Sequence, residues 1–164
     1  MSSIDTTQLA KLVNEAVQNV FGTMLSLELE RLGQPAHEIA KHNENVVGAI
    51  GFGGRATGVV HLYLTDDFAR TATSTLLGTG VEEVGDPEIN DVIGELCNMI
   101  GGTLKSNLSD AGFSCQLSLP TVLRGADLQI ETPGLKAGRH VECGFRYDGH
   151  TLRAVAALKE ESAK

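Results

Sequence analysis

Tryptophan is missing from this 164-residue chain, and aromatic residues make up only 4% of it. A core without large rings has to be aliphatic, built from Val, Leu, Ile and Ala. Long apolar runs are missing too. None approaches the roughly eighteen residues needed to cross a bilayer, and the start Met1-Ser2-Ser3-Ile4-Asp5 is polar with no basic stretch. A cytoplasmic protein without a membrane partner is therefore expected. Positive charge is short: 13 Lys and Arg against 21 Asp and Glu leave a formal charge of -8. That balance argues against a nucleic-acid partner, because phosphate contacts need clustered Lys and Arg. Cysteine is scarce, and Cys97, Cys115 and Cys143 are odd in number, widely spaced and set in apolar patterns, as expected of reduced core thiols. His37, His42, His61, His140 and His150 form no ligand spacing with them, so no metal of the chain's own is expected. What is present fits one globular domain spanning 1–164, with 41% apolar and 21% charged residues.

Apolar residues recur at helical spacing through Ile93, Leu96, Cys97, Ile100, Leu104 and Leu108, which predicts a long amphipathic helix from about Glu88 to Leu108. At about 100° per residue, Asp91, Glu95, Asn98, Gly102 and Lys105 share an arc on the opposite side. Such a stripe is ordinarily a solvated helix face. Here it carries two anomalies. Gly94, Gly101 and Gly102 each cost roughly 1 kcal/mol against Ala in a helix, so something is expected to approach the backbone. Asn98 is a mediocre helix former, since its side chain competes with the backbone for hydrogen bonds.

Segments 80 positions apart resemble each other: Glu15-Ala-Val-Gln18 aligns with Glu95-Leu-Cys-Asn98, and Gly22-Thr23 with Gly102-Thr103. Two hairpins are expected to follow at the same offset. The first runs Val46 to Phe52, turns at Gly53-Gly54 and returns over Thr57 to Leu64. The second runs Asp127 to Glu131, turns at Pro133-Gly134 and returns over Arg139 to Phe145. The matches Ile50 with Ile130, Gly54 with Gly134 and Gly58 with Gly138 support it. The expectation is an internally duplicated α+β fold, with pseudo-repeats about 6–80 and 86–160 and a mainly antiparallel sheet carrying two long helices related by a pseudo-twofold axis. A shorter helix is predicted over Asp66 to Leu77, capped by Thr65 or Asp66 and closed by Gly78. An extended segment from Ser26 to about Ala40, a strand from Phe113 to Leu123 broken at Pro120, and a last strand over Thr151 to Leu158 complete the set.

The glycines of Gly51 to Gly58 do not make a phosphate loop, because no Gly-Lys-Ser/Thr follows and the segment leads into a strand. No nucleophile elbow and no calcium loop are present. Glu95 and Asn98 remain. An i, i+3 pair projects to the same side of a helix. A carboxamide can hold a water in line without being consumed, as a Gln does in small GTPases. A neighbouring carboxylate can pair with a cation.

The spacing Asp91-x3-Glu95-x2-Asn98-x21-Pro120 resembles the signature of the CheC/CheX/FliY family of response-regulator phosphatases of bacterial chemotaxis. Val20 to Leu25, the Ile50-Gly51-Phe52 turn, Leu76-Leu77-Gly78 and Glu95 to Gly102 are similar to CheX-type members. The resemblance implies a CheC-like fold and hydrolysis of the aspartyl phosphate of a CheY-like receiver in a two-component pathway. It implies that Asn98 orients the water, Glu95 pairs with the receiver's lysine, and Asp91, Pro120, Gly94 and Gly102 shape the receiver-facing surface. It implies Mg2+ on the receiver, and a homodimer. Glu15 and Gln18 form a degenerate second site, since Lys11 and Ala40 stand where counterparts of Asp91 and Pro120 would be. The alternative is a non-catalytic CheX-like module that binds a receiver domain or a flagellar switch component. A third reading, Asp91 and Glu95 as the acid and base of a small-molecule hydrolase, requires an apolar cleft beside them.

Overall fold

Helix α1 (Thr6–Leu25) starts where Asp5 can close a capping box: its carboxylate accepts from the Gln8 N–H at 2.8 Å while the Gln8 side chain accepts from the Asp5 N–H at 3.0 Å. Leu9, Val13, Ala16, Val17 and Val20 then form its buried stripe. The computed structural model describes residues 3–32, 44–126 and 128–161. After α1 come β1 (Glu30–Leu32), β2 (Val46–Gly54), β3 (Ala56–Leu64), α2 (Asp66–Leu77), a 3-10 turn (Val81–Glu83), α3 (Asp86–Asp110), β4 (Cys115–Leu117), β5 (Thr121–Arg124), a second 3-10 turn (Pro133–Leu135), β6 (Arg139–Tyr147) and β7 (His150–Glu160). The Thr65 hydroxyl caps α2 by accepting from the Phe68 N–H at 3.1 Å. Gly78 closes it at φ 68. Asp148 and Gly149, at φ 46 and 80, join β6 to β7 in the two-residue turn that an Asp-Gly pair favours.

The seven strands form one sheet in the order β1-β6-β7-β3-β2-β4, with β5 also on β2. Every ladder is antiparallel. Exchanging the first-half strands for the second-half ones returns the same order read from the other end. Each half lends its short edge strand to the other: β1 pairs with β6, and β4 and β5 pair with β2.

The helices cover one sheet face. Their apolar stripes meet Val46, Ile50, Val60, Leu62, Leu64, Phe145, Ala154, Ala156 and Leu158 in one core of aliphatic residues, with Phe21, Phe68 and Phe145 as its largest rings. α3 comes down closest. The Cys97 sulfur lies where a side chain on Gly48 would have to go, and a methyl on Gly101 would stand 2.9 Å from Ile50 Cγ1. On the other face, the guanidinium of Arg153 pairs with Glu44 and Glu142 and lies 4.1 Å over the Tyr63 ring.

One expected hairpin does not form. Residues 128–131 are not a strand; the neighbours of β6 are β1 and β7, and the turn that joins β6 to β7 is Asp148-Gly149. Leu128 and Ile130 mimic a strand by alternating with polar residues, but Ile130 borders a cleft over the face of the sheet, across from Val59 and His61, instead of joining a ladder. The equivalences of Ile130, Gly134 and Gly138 with Ile50, Gly54 and Gly58 fail with it. The helices do start 80 positions apart, at Thr6 and Asp86, whereas the hairpins start 93 apart, at Val46 and Arg139. The extended segment beyond Leu32, including Ala40, lies outside the described residues, as do His37 and His42.

Candidate functional site

α3 begins with Asp86, Pro87 and Glu88, two carboxylates and a proline suited to the first turn of a helix. Ile89, Val92, Ile93, Leu96, Cys97, Ile100, Leu104 and Leu108 are buried against the sheet and the other helices. That stripe fixes the opposite face. Asp91, Glu95 and Asn98 are exposed, Gly102 and Lys105 partly so. Among the described residues, none of the Asp91, Glu95 and Asn98 side chains makes a hydrogen bond or ion pair. A carboxamide and two carboxylates thus stand on successive turns with their full bonding capacity free for a partner.

The wall beside this face is the break between β4 and β5. Leu117 lies 3.4 Å from where a Gly101 side chain would begin, and Pro120 lies 3.8 Å from the same position on Gly94. The chain from Leu117 to Pro120 therefore runs alongside the turns between Gly101 and Gly94, and Asn98 sits in that interval. Ser118 pins it. Its N–H donates to the Gly51 carbonyl at 2.8 Å, and its hydroxyl accepts from the Gly51 N–H at 2.9 Å. Pro120 has no N–H to give the ladder, so the strand breaks there and resumes at Thr121 opposite Ala49. The sequence signalled the break through Pro120; it did not signal Ser118 as the pin.

Arg124 fastens the same wall to the start of the helix. Its guanidinium donates to Asn90 Oδ1 at 3.0 Å and reaches Asp66 at 3.3 Å and Asp86 at 3.7 Å. Arg70 holds Asp66 at 2.7 Å and donates to the Val84 carbonyl at 2.7 Å. Asp66 and its neighbours hold the Arg70 guanidinium above its ordinary range. Sequence reasoning missed this cluster, because its members lie on α2, β5 and α3 and share no local pattern.

The three glycines of the motif helix have different surroundings. Gly101 permits contact with the sheet. Gly94 faces Pro120 at ordinary van der Waals distance, and Gly102 has nothing within 4 Å. The close approach that the sequence led us to expect therefore belongs, at Gly101, to the molecule's own sheet.

Other chemistries find little to use. Burial pushes the Cys97 thiol up to about 12 and the Cys143 thiol up to about 11, so neither is a thiolate nucleophile near neutral pH. All three cysteines are free and buried. Among the described residues, no cluster of His, Cys, Asp and Glu could hold a metal ion, and no helix is long and apolar enough to cross a membrane. A cleft of about 400 Å3 lies between Ile130 to Lys136 and strands β3, β6 and β7, lined by His61 and His140. Burial lowers the His61 pKa. No residue of α3 lines this cleft, so it gives no support to Asp91 and Glu95 as a hydrolase pair.

The first helix carries the same residue types in a different state. Glu15 is exposed, but both ends of the Gln18 carboxamide are used within the molecule. Nε2 donates to the Leu29 carbonyl at 3.0 Å, and Oε1 accepts from Arg31 Nε at 2.7 Å. The edge strand β1 and the residue before it take up the group that would otherwise face a partner.

Residues 46–144 match the family model described as chemotaxis phosphatase CheX. The chain is 29% identical over 132 residues to a protein of Thermotoga maritima named CheY-P phosphatase CheX, covering 77% of this chain and 83% of that one. Its fold is similar to a crystal structure of chemotaxis protein CheX from Vibrio vulnificus, with a TM-score of 0.79 at 22% identity over 96% of this chain and 100% of the other. It is also similar, with a TM-score of 0.75 at 21% identity over 96% and 100% of the two chains, to the CheX-CheY-BeF3-Mg2+ complex from Borrelia burgdorferi.

Proposed function

This chain belongs to the CheX family of chemotaxis phosphatases, and on that premise we propose that it accelerates hydrolysis of the aspartyl phosphate of a CheY-like receiver, with Asn98 and Glu95 as its catalytic residues. The observation that carries the assignment is the free pair itself. Asn98 and Glu95 stand exposed and unbonded on one face of α3, beside a wall pinned by Ser118 and Pro120.

The chemistry is simple to balance. Water adds to phosphorus, the bond from phosphorus to the aspartyl oxygen breaks, and the products are a free carboxylate, inorganic phosphate and a proton. Little covalent work is needed from the protein in phosphoryl transfer, so positioning and charge account for most of the catalysis. The Asn98 carboxamide accepts a hydrogen bond from the attacking water and fixes its line of approach. Glu95 pairs with a lysine of the receiver and so sets the depth to which Asn98 enters. Asp91 and Pro120 shape the rim, Gly94 gives Pro120 its place beside the helix, and Gly102 leaves room for the receiver. Mg2+ is expected on the receiver, as the composition of the Borrelia complex supports.

The test is loss of phosphate from a phosphorylated receiver with and without the purified protein. Wild type shortens the lifetime, and Asn98→Ala or Glu95→Ala removes the acceleration by about a hundredfold or more, the size expected for deleting one positioned group in a transition state. Binding with an unchanged phosphate lifetime would instead make the chain a non-catalytic receiver module.

A further inference from the structure

Leu119 is 87% exposed, and its backbone is fixed from both sides. Before it, Ser118 is held to Gly51 by two hydrogen bonds of 2.8 and 2.9 Å. After it, Pro120 has a locked φ and lies beside Gly94, 3.8 Å from where a side chain on that residue would begin. Ser118 also donates to the Leu119 carbonyl at 3.2 Å. A lone exposed leucine needs no explanation on most surfaces. This one is held out on the break between β4 and β5 that runs past Asn98, and Leu123, 37% exposed, follows on β5.

Resting on the reading above, we propose that Leu119 is the apolar anchor on which the receiver docks, and that it sets affinity for the receiver while Asn98 and Glu95 set the rate. Continuity with the site identifies the occupant. For Asn98 to reach a phosphorus atom, the surface around the receiver's phosphorylated aspartate has to cover the neighbouring break between β4 and β5. The fit calls for an apolar recess beside that aspartate. A side chain held out by a pinned backbone loses little freedom on binding, which favours its use as an anchor. Interfaces concentrate their binding energy in a few such side chains surrounded by polar contacts.

The experiment titrates a receiver carrying beryllofluoride, a stable stand-in for the phosphoryl group, into wild type, Leu119→Ser and Leu119→Met, and measures phosphate loss at saturating receiver. Leu119→Ser should weaken binding about tenfold or more, raising KM while leaving kcat within about twofold, and Leu119→Met should restore most of the affinity. Exposure of the side chain argues against misfolding as the source of the loss, and unchanged thermal unfolding checks that. Wild-type affinity in Leu119→Ser, or a fall in kcat with KM unchanged, overturns the anchor while an active wild type keeps the phosphatase reading. A wild type that neither binds nor dephosphorylates any receiver overturns that reading and the anchor with it.

Discussion

Asn98 and Gln18 are side-chain amides at matching positions of two similar helices, and the difference between them lies in what else binds them. Gln18 is one methylene longer. It spans the gap to the backbone before β1, where its donor meets the Leu29 carbonyl and its acceptor meets Arg31. Asn98 makes no side-chain hydrogen bond among the described residues. Alanine substitutions should therefore separate the two. Gln18→Ala is expected to leave the phosphatase rate unchanged and to cost about 1 kcal/mol of stability, the usual worth of a partly exposed hydrogen-bonded group. Asn98→Ala should do the reverse. Urea midpoints and phosphate-loss rates on the same two variants decide it, and a rate loss in Gln18→Ala would mean that the first helix carries a working site. The sequence made the pairing of Glu95 with Asn98 legible, because both lie on one helix at fixed spacing. The engagement of Gln18 was not legible, since its partners are a backbone carbonyl and an arginine brought in by the sheet.

At the scale of elements, α3 shows how a glycine can weaken a helix locally and still be required. A methyl at Gly101 would meet Ile50 at 2.9 and 3.2 Å, whereas one at Gly102 would meet nothing within 4 Å. Alanine in place of glycine stabilises a helix by roughly 1 kcal/mol, and forcing extra carbon into a packed core costs about 1 to 3 kcal/mol. Gly102→Ala should therefore raise the melting temperature and Gly101→Ala should lower it, although both substitutions are identical in sequence terms. Equal shifts in thermal unfolding would refute the close contact of α3 with β2. Helices were readable here because apolar period, Thr65 and Gly78 all agreed on where α2 begins and ends. The segment around Leu128 to Glu131 misled because two apolar residues alternating with polar ones fit a strand equally well as they fit a cover laid over a sheet. The pairing slots on β6 had stronger claimants in β7, joined to it by Asp148-Gly149, and in β1.

For the whole molecule, the consequential fact is the exchange of edges. The similarity of segments 80 positions apart says nothing of how the two halves share strands, because the ladders β1 with β6 and β2 with β4 and β5 join residues far apart in the chain. Each half keeps only one hairpin of its own, β2 with β3 or β6 with β7, and the two hairpins meet along the full length of β3 and β7, from Ala56 opposite Glu160 to Leu64 opposite Leu152. A hairpin with one edge open and half its helical cover absent is marginal in water. Cutting the chain after Gly80, next to the exposed turn Val81–Glu83, should therefore yield two fragments that are each largely unfolded alone and that regain cooperative unfolding when mixed. Circular dichroism melts of the separate and combined fragments provide the measurement. If either fragment melts cooperatively alone, the halves are independent units and the exchanged edges contribute little. If the mixture folds, the site on α3 depends on the first half as well, since Gly51, which pins Ser118, and Ile50, which seats Gly101, both belong to β2.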